Sequence, residues 1–110
     1  MTDCLVVLVT CPTRAVAWRL ADALVKRRLA ACVNVLPGME STFRWQGKVD
    51  RCRETLLVIK TTARRFPQLR AAVRTLHPYD VPEIIALPIV AGHAPYLRWV
   101  RSSTSSVLNR

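Results

Sequence analysis

Three side chains that can bind a transition metal lie within seven residues of one another in the last third of the chain. They are His77, Asp80 and Glu83, and two prolines stiffen the segment that carries them. An imidazole suits copper or zinc, and carboxylates could complete a site of mixed nitrogen and oxygen ligands. A histidine at the end of a helix is also commonly a C-terminal cap, so the spacing alone leaves both interpretations open.

Cys11 is the one cysteine of four that we expect to be partly exposed, because it follows an apolar strand and precedes Pro12. A Cys11–His77 pair could serve nucleophilic catalysis, but the sequence supplies no third group to orient the imidazole. The sequence contains no C-x-x-C, G-x-S-x-G, H-E-x-x-H, P-loop or G-x-G-x-x-G motif. We therefore expect a protein that is not an enzyme.

Hydrophobic periodicity predicts the order β-α-β-β-α-β-α for the elements that position these residues. Proline cannot donate a ladder hydrogen bond, so Pro82 and Pro88 place the last strand at a sheet edge. The order predicts an α+β, ferredoxin-like β-α-β-β-α-β sandwich with an extra C-terminal helix, in one domain spanning 1–110. The predicted strands are 4–10, 31–36 continued by 41–45, 48–61 and 81–90; the helices are 14–29, 62–76 and one from 95; the polar tail 102–110 is expected to fray.

The chain has 110 residues, of which 51% are hydrophobic. This composition excludes intrinsic disorder, and no apolar run approaches the roughly 18–20 residues that cross a bilayer, so we expect no membrane partner. A domain of this size cannot bury so much apolar surface alone, which predicts a subunit interface. The N-terminus carries no pattern of a secretion signal, and we expect a cytoplasmic protein.

The chain is also strongly basic, with 17 Lys and Arg residues against 7 Asp and Glu and a net charge of +10. RNA-recognition modules share the predicted element order, but they stack bases on aromatic residues of their first and third strands. Here those two strands contain no Phe, Tyr or Trp. We therefore expect no specific nucleic-acid partner, only a general attraction to anions.

Seven short blocks are spread along nearly the whole chain: RLAACVN at 28–34, LPG at 36–38, FRWQGK at 43–48, IKTT at 59–62, HPY at 77–79, VPEII at 81–85 and YLRW at 96–99. Together and in this order they resemble the CutA divalent-cation tolerance family. The resemblance implies a cytoplasmic homotrimer, related in architecture to PII signalling proteins, that takes part in tolerance of divalent cations.

The resemblance also implies a bound divalent metal ion, copper first and zinc second, and no organic cofactor. The histidine that the family links to copper falls on His77, with Glu83 as a possible helper in the same segment. The proposed cysteine ligand of the family aligns with Val9, whereas this chain has Cys11 two positions further along. Residues two apart on a strand share a face, so Cys11 is the candidate substitute.

A second interpretation is a PII-like scaffold whose clefts between subunits hold a small anionic metabolite. Its candidate lining residues are Lys60, Tyr79, Glu83 and Trp99, and the excess of basic residues favours an anion. Trp45, at the hairpin, is a candidate for the trimer interface.

Overall fold

The computed structural model describes residues 2–105, which form a four-stranded antiparallel sheet and three helices. The α+β fold and the order of the elements are as predicted from the sequence. No helix in residues 2–105 is long and apolar enough to cross a membrane. The elements are β1 (Cys4–Cys11), α1 (Arg14–Lys26), β2 (Cys32–Trp45), β3 (Lys48–Thr62), α2 (Phe66–Leu76), β4 (Ile84–Pro88) and α3 (Ala94–Ser103).

The strands lie in the order β2-β3-β1-β4, and each neighbouring pair is antiparallel. The third strand thus inserts between the two strands that α1 connects, which is the split β-α-β arrangement. The fourth strand lies at an edge, as its prolines predicted. It is shorter than predicted, because Pro82 precedes it and Pro88 is its last residue.

Helix α1 starts where the sequence predicted and ends earlier. The Thr13 hydroxyl accepts the N–H of Val16 at 3.2 Å and caps the first turn. The helix was predicted to continue to Leu29, but Arg28 takes a φ of +59° and the chain leaves the helix there. The N–H of Leu29 still donates to the carbonyl of Leu24 at 2.9 Å, which seats Leu29 in the core.

The central hairpin is longer and more continuous than predicted. Pro37 and Gly38 do not separate two strands; β2 runs through them with a register shift, and Gly38 has a φ of +84°. At the tip, Gln46 and Gly47 both have positive φ, which is the requirement of a type I′ turn. Residues 39–54, the hairpin arm, are mostly exposed and contribute no residue to the core under the helices.

The two faces of the sheet are covered differently. Helices α1 and α2 pack on one face, where Val7, Leu57 and Ile59 join Leu20 and Leu69 in the main core. Helix α3 covers only one end of the other face, and there Leu97 and Val100 pack on Cys4 and Ala31. The rest of that second face is not covered by a helix in the single chain. We call this part, which carries Leu36, Ile85 and Leu87, the helix-free face.

The two later helices differ from prediction at their ends. Because β3 extends through Thr62, α2 begins at Phe66 and has Pro67 in its first turn. Ser102 and Ser103 were predicted to fray but belong to α3. Thr104 follows them, buried, with its hydroxyl donating to the Val100 carbonyl at 2.9 Å. The predicted tail at 106–110 lies outside the described residues.

Candidate functional site

His77 is a buried C-cap whose two ring nitrogens are both engaged. Its backbone N–H donates to the Val73 carbonyl at 2.8 Å and closes α2. The N–H of Tyr79 donates to Nδ1 at 3.1 Å, so Nδ1 is an acceptor. The proton of the neutral ring is thereby assigned to Nε2, which donates to the Thr10 carbonyl at 2.7 Å.

This bonding supports the capping interpretation of His77 rather than that of a metal ligand. A metal ion needs a free nitrogen lone pair. In His77 the Nδ1 lone pair accepts a hydrogen bond from the Tyr79 N–H, and the Nε2–H donates one to the Thr10 carbonyl. The imidazole instead connects the end of β1 to the turn that follows α2.

Cys11 is fully buried, contrary to the expected partial exposure. The reason is that β1 extends through Cys11, which pairs with Thr55 and packs into the helix-covered core. Burial, together with the smaller effect of the negative charge of Glu54, raises the pKa of the Cys11 thiol to about 11. Metal ligation requires the thiolate, and the neutral thiol is the stable form here.

The predicted metal set of His77, Cys11 and Glu83 therefore does not fit copper or zinc in this chain. Glu83 is exposed in the segment between α2 and β4, as is Asp80. Within residues 2–105, no three or more His, Cys, Asp or Glu side chains gather closely enough to hold a metal ion directly.

A cavity of about 660 Å³ lies between the hairpin arm and the segment after α2, and we call it the acidic cavity. Four of the seven carboxylates of the chain line it, and no Lys or Arg does so among the described residues. The carboxylates are Asp50, Glu54, Asp80 and Glu83. The other lining residues are Thr10, Ser41, Thr42, Phe43, Trp45, Tyr79 and Val81.

A chain of hydrogen bonds links His77 to this cavity. The Tyr79 hydroxyl donates to Oε2 of Glu54 at 3.2 Å, and the rings of His77 and Tyr79 lie 4.8 Å apart between centroids. Glu54 is only 9% exposed, so its carboxylate has few other directions in which to turn. By holding the backbone of Tyr79, His77 positions the phenol that fixes Glu54 in the cavity wall.

A family model described as the CutA1 divalent ion tolerance protein matches residues 5–103. The chain belongs to the CutA1 family. The divalent-cation tolerance protein CutA of Thermus thermophilus is 54% identical over 99 residues, covering 90% of this chain and 96% of that protein. Human protein CutA is 50% identical over 99 residues, covering 90% of this chain. The chain spans 55% of that human relative's length.

Solved CutA1-family structures share the fold. The cation tolerance protein Cut A1 of Thermus thermophilus has a TM-score of 0.91 at 53% identity, covering 93% of this chain and 99% of the other. The Archaeoglobus fulgidus protein, described as periplasmic, has a TM-score of 0.90 at 33% identity and the same two coverages. A relative from Arabidopsis thaliana is described as chloroplastic, so these two relatives are assigned to different compartments.

The remaining predicted site residues of this CutA1-family chain are dispersed. Trp45, half-exposed at the end of β2, lines the acidic cavity together with Tyr79. Lys60 donates through Nζ to the side-chain oxygen of Asn34 within the sheet. Trp99 lies on α3 with its ring 5.5 Å from that of Tyr96. The single chain thus does not assemble the predicted anion cleft.

Two carboxylates of the acidic cavity, Asp50 and Glu54, were not recognised in the sequence. Both lie on β3 within the hairpin arm, and the hairpin register brings them opposite Phe43 and Met39. A signal was present at Glu54, a single acidic residue directly before the buried end of a strand. A charge at such a position needs a partner, which here is Tyr79.

The Tyr79 phenol should titrate at about pH 12. Burial and the Glu54 charge raise the Tyr79 pKa from 10.0 to about 12. The raised pKa means that the folded state favours the neutral phenol. The contribution of Tyr79 to the free energy of unfolding is therefore fully present below pH 10 and is lost as the pH rises toward about 12. Ultraviolet absorbance of the tyrosinate should show this step in the parent. The step should vanish in Tyr79→Phe but persist in Tyr96→Phe; its persistence in Tyr79→Phe would contradict the assignment.

Proposed function

We propose that this CutA1-family chain is a non-enzymatic protein that binds a divalent cation in its acidic cavity. One observation carries the proposal: a chain of net charge +10 gathers four of its seven carboxylates around one cavity. Positive charge elsewhere on the surface repels cations, and a cleft of the opposite sign concentrates them. Tolerance of divalent cations, the property in the family's name, agrees with such a site.

The chemistry of the cavity favours cations that prefer oxygen ligands. Its polar lining groups are carboxylates, hydroxyls and the phenol of Tyr79, which suit Mg²⁺, Ca²⁺ or Mn²⁺. Since the described carboxylates form no direct coordination set, the cation keeps much of its water and is held through it. Copper and zinc are the second choice, because either would require His77 to release Thr10 or Tyr79.

Calorimetric titrations with Mn²⁺ and with Cu²⁺ test this function. The parent chain should bind Mn²⁺ with an affinity that falls as salt is added, because salt screens the carboxylates. His77→Ala should not weaken Cu²⁺ binding selectively. Absence of Mn²⁺ binding, together with Cu²⁺ binding that is lost only in His77→Ala, would instead establish an imidazole site.

A PII-like scaffold that binds an anion in this cleft is the less favoured alternative. Tyr79 and Glu83, two of its candidate residues, belong to the acidic cavity, where an anion would meet four carboxylates.

The cytoplasm is the compartment that we propose. All four cysteines are free, which agrees with a reducing environment.

We further propose that the chain assembles as a homotrimer. The helix-free face carries the half-exposed side chains of Leu36, Ile85 and Leu87, which a solitary small domain would leave in water. Strands β2 and β4 are both sheet edges, and unpaired edges favour association. Trp45 is 51% exposed at the end of the hairpin and suits an interface position.

Native mass spectrometry of the full chain should therefore report three times the 12.4 kDa chain mass. Leu87→Glu, which puts a charge on the helix-free face, should dissociate the assembly because a buried unpaired charge is costly. Val25→Glu, a similar change at an exposed position of α1, should leave it intact. A monomeric parent would contradict the trimer.

A further inference from the structure

A second cavity has the opposite charge. Its volume is about 370 Å³, and we call it the arginine cavity. Three guanidinium groups and a single carboxylate line it, along with neutral polar groups. The lining residues are Asp3, Thr62, Arg64, Arg65, Gln68, Arg101, Thr104 and Ser105. We propose that this cavity is a binding site for a phosphate group. It shares no lining residue with the acidic cavity.

The fold brings the three arginines together from two places in the chain. Arg64 and Arg65 occupy the turn between β3 and α2, and Arg101 lies in the last turn of α3. The turn is fixed on both sides. The N–H of Ala63 donates to the Asp3 carbonyl at 2.8 Å, and the N–H of Arg65 donates to the Thr62 carbonyl at 3.1 Å.

Two of the guanidinium groups are held in place and still have donors to spare. Arg65 donates from Nε to the Thr104 carbonyl at 2.7 Å and from one terminal nitrogen to the side chain of Gln68. Arg101 donates to Asp3 at 3.2 Å. Each guanidinium has five N–H donors, so most of them stay available to a ligand. Arg64 makes no hydrogen bond or ion pair within the described residues and can close over an anion.

Helix α2 adds to the positive potential of the arginine cavity. Its first turn lies at the cavity, its N-cap residue Arg65 makes no side-chain capping bond, and its first turn contains no acidic residue. The amino end of a helix carries a partial positive charge that suits an anion. The one opposing carboxylate, Asp3, has a side chain that is 57% exposed and already pairs with Arg101.

Phosphate is the anion class that this donor set fits best. Planar guanidinium forks match the geometry of phosphate oxygens, and several forks can share one phosphate group. The phosphate can be free or can belong to a small ester, since both present the same oxygens. Part of the excess positive charge of the chain is thus concentrated in one cavity, where it can bind an anion.

Titrations of the full chain with inorganic phosphate, at constant ionic strength in chloride, test the proposal. The parent should show saturable binding. Arg64→Ala should weaken it by about tenfold, because a hydrogen bond to a charged group is lost. Arg74→Ala is the matched control: it removes the same charge from an exposed position of α2, outside the cavity, and should have little effect. Asp3→Asn should tighten binding by removing the opposing charge.

Arg64→Ala should weaken the binding of a small phosphate monoester as it weakens that of inorganic phosphate. If the parent binds the ester more tightly than inorganic phosphate, the ester is the preferred source of the phosphate group. Glu54→Gln should leave phosphate binding unchanged, which separates this site from the acidic cavity. Three results would overturn the proposal: no saturation by phosphate, equal losses in Arg64→Ala and Arg74→Ala, or no tightening in Asp3→Asn. Equal losses, seen also with a single-stranded oligonucleotide, would indicate a general polyanion surface.

Discussion

Replacing His77 by alanine should lower the free energy of unfolding by about 2–4 kcal/mol. The imidazole is 6% exposed and is bonded to the Thr10 carbonyl and to the Tyr79 N–H. Alanine leaves both backbone groups without that partner and opens space beside the Tyr79 ring. A buried group that loses its hydrogen bond costs about 1–3 kcal/mol, and the Tyr79 N–H costs less because it is only partly buried, which gives the expected size. Denaturant unfolding of the two proteins at neutral pH measures the difference.

His93→Ala is the control for this prediction. His93 is exposed and precedes α3 without a side-chain capping bond, so its replacement should change the free energy of unfolding by less than about 0.5 kcal/mol. Equal effects at His77 and His93 would show that the buried imidazole does not hold β1 to the turn after α2.

Replacing Glu54 by glutamine should weaken Mn²⁺ binding by about tenfold. A divalent cation about 6 Å from a carboxylate gains about 1.4 kcal/mol even at the dielectric constant of bulk water, and this gain disappears with the charge. Glutamine keeps the size of the side chain and an oxygen that can accept from Tyr79, so the cavity should keep its shape. Calorimetry at low and high salt measures the loss, which should shrink as salt is added.

Glu40→Gln is the matched control, since Glu40 lies on the same hairpin, is exposed and does not line the acidic cavity. It removes the same charge from the chain and should leave Mn²⁺ affinity nearly unchanged. If both substitutions weaken binding equally, the cation responds to the total charge of the hairpin rather than to the cavity.

Local signals in the sequence predicted most of the fold. Thr13 caps α1 as expected, and the prolines of the last strand lie at or before its end on an edge. The interruption expected at Pro37 and Gly38 did not occur. A single glycine with positive φ allows a bulge to absorb the irregularity while the ladder continues on both sides. Whether a turn signal ends a strand or bends it depends on pairing with β3, which local composition does not record.

The site was harder to predict because its bonds join distant segments. His77 was recognised by its residue type, but its role depends on the backbone of Thr10, sixty-seven positions away. Cys11 was expected to be accessible because Pro12 follows it, whereas ladder pairing keeps it in the core. Tyr79 and Glu83 line one cavity of the single chain, which Lys60 and Trp99 do not reach, and its acidic character was not anticipated. Two of its four carboxylates, Asp50 and Glu54, are placed there by the hairpin register, which local composition does not record.

Paramagnetic broadening by Mn²⁺ in the nuclear magnetic resonance spectrum tests the central claim, that a divalent cation enters the acidic cavity. At substoichiometric Mn²⁺, amide signals of 41–43 and 79–83 should broaden first, while those of 62–68 at the arginine cavity keep their intensity. The selective broadening should disappear in the Asp50→Asn, Glu54→Gln double variant. Broadening centred on His93, spread evenly over the surface, or unchanged in the double variant would contradict the claim.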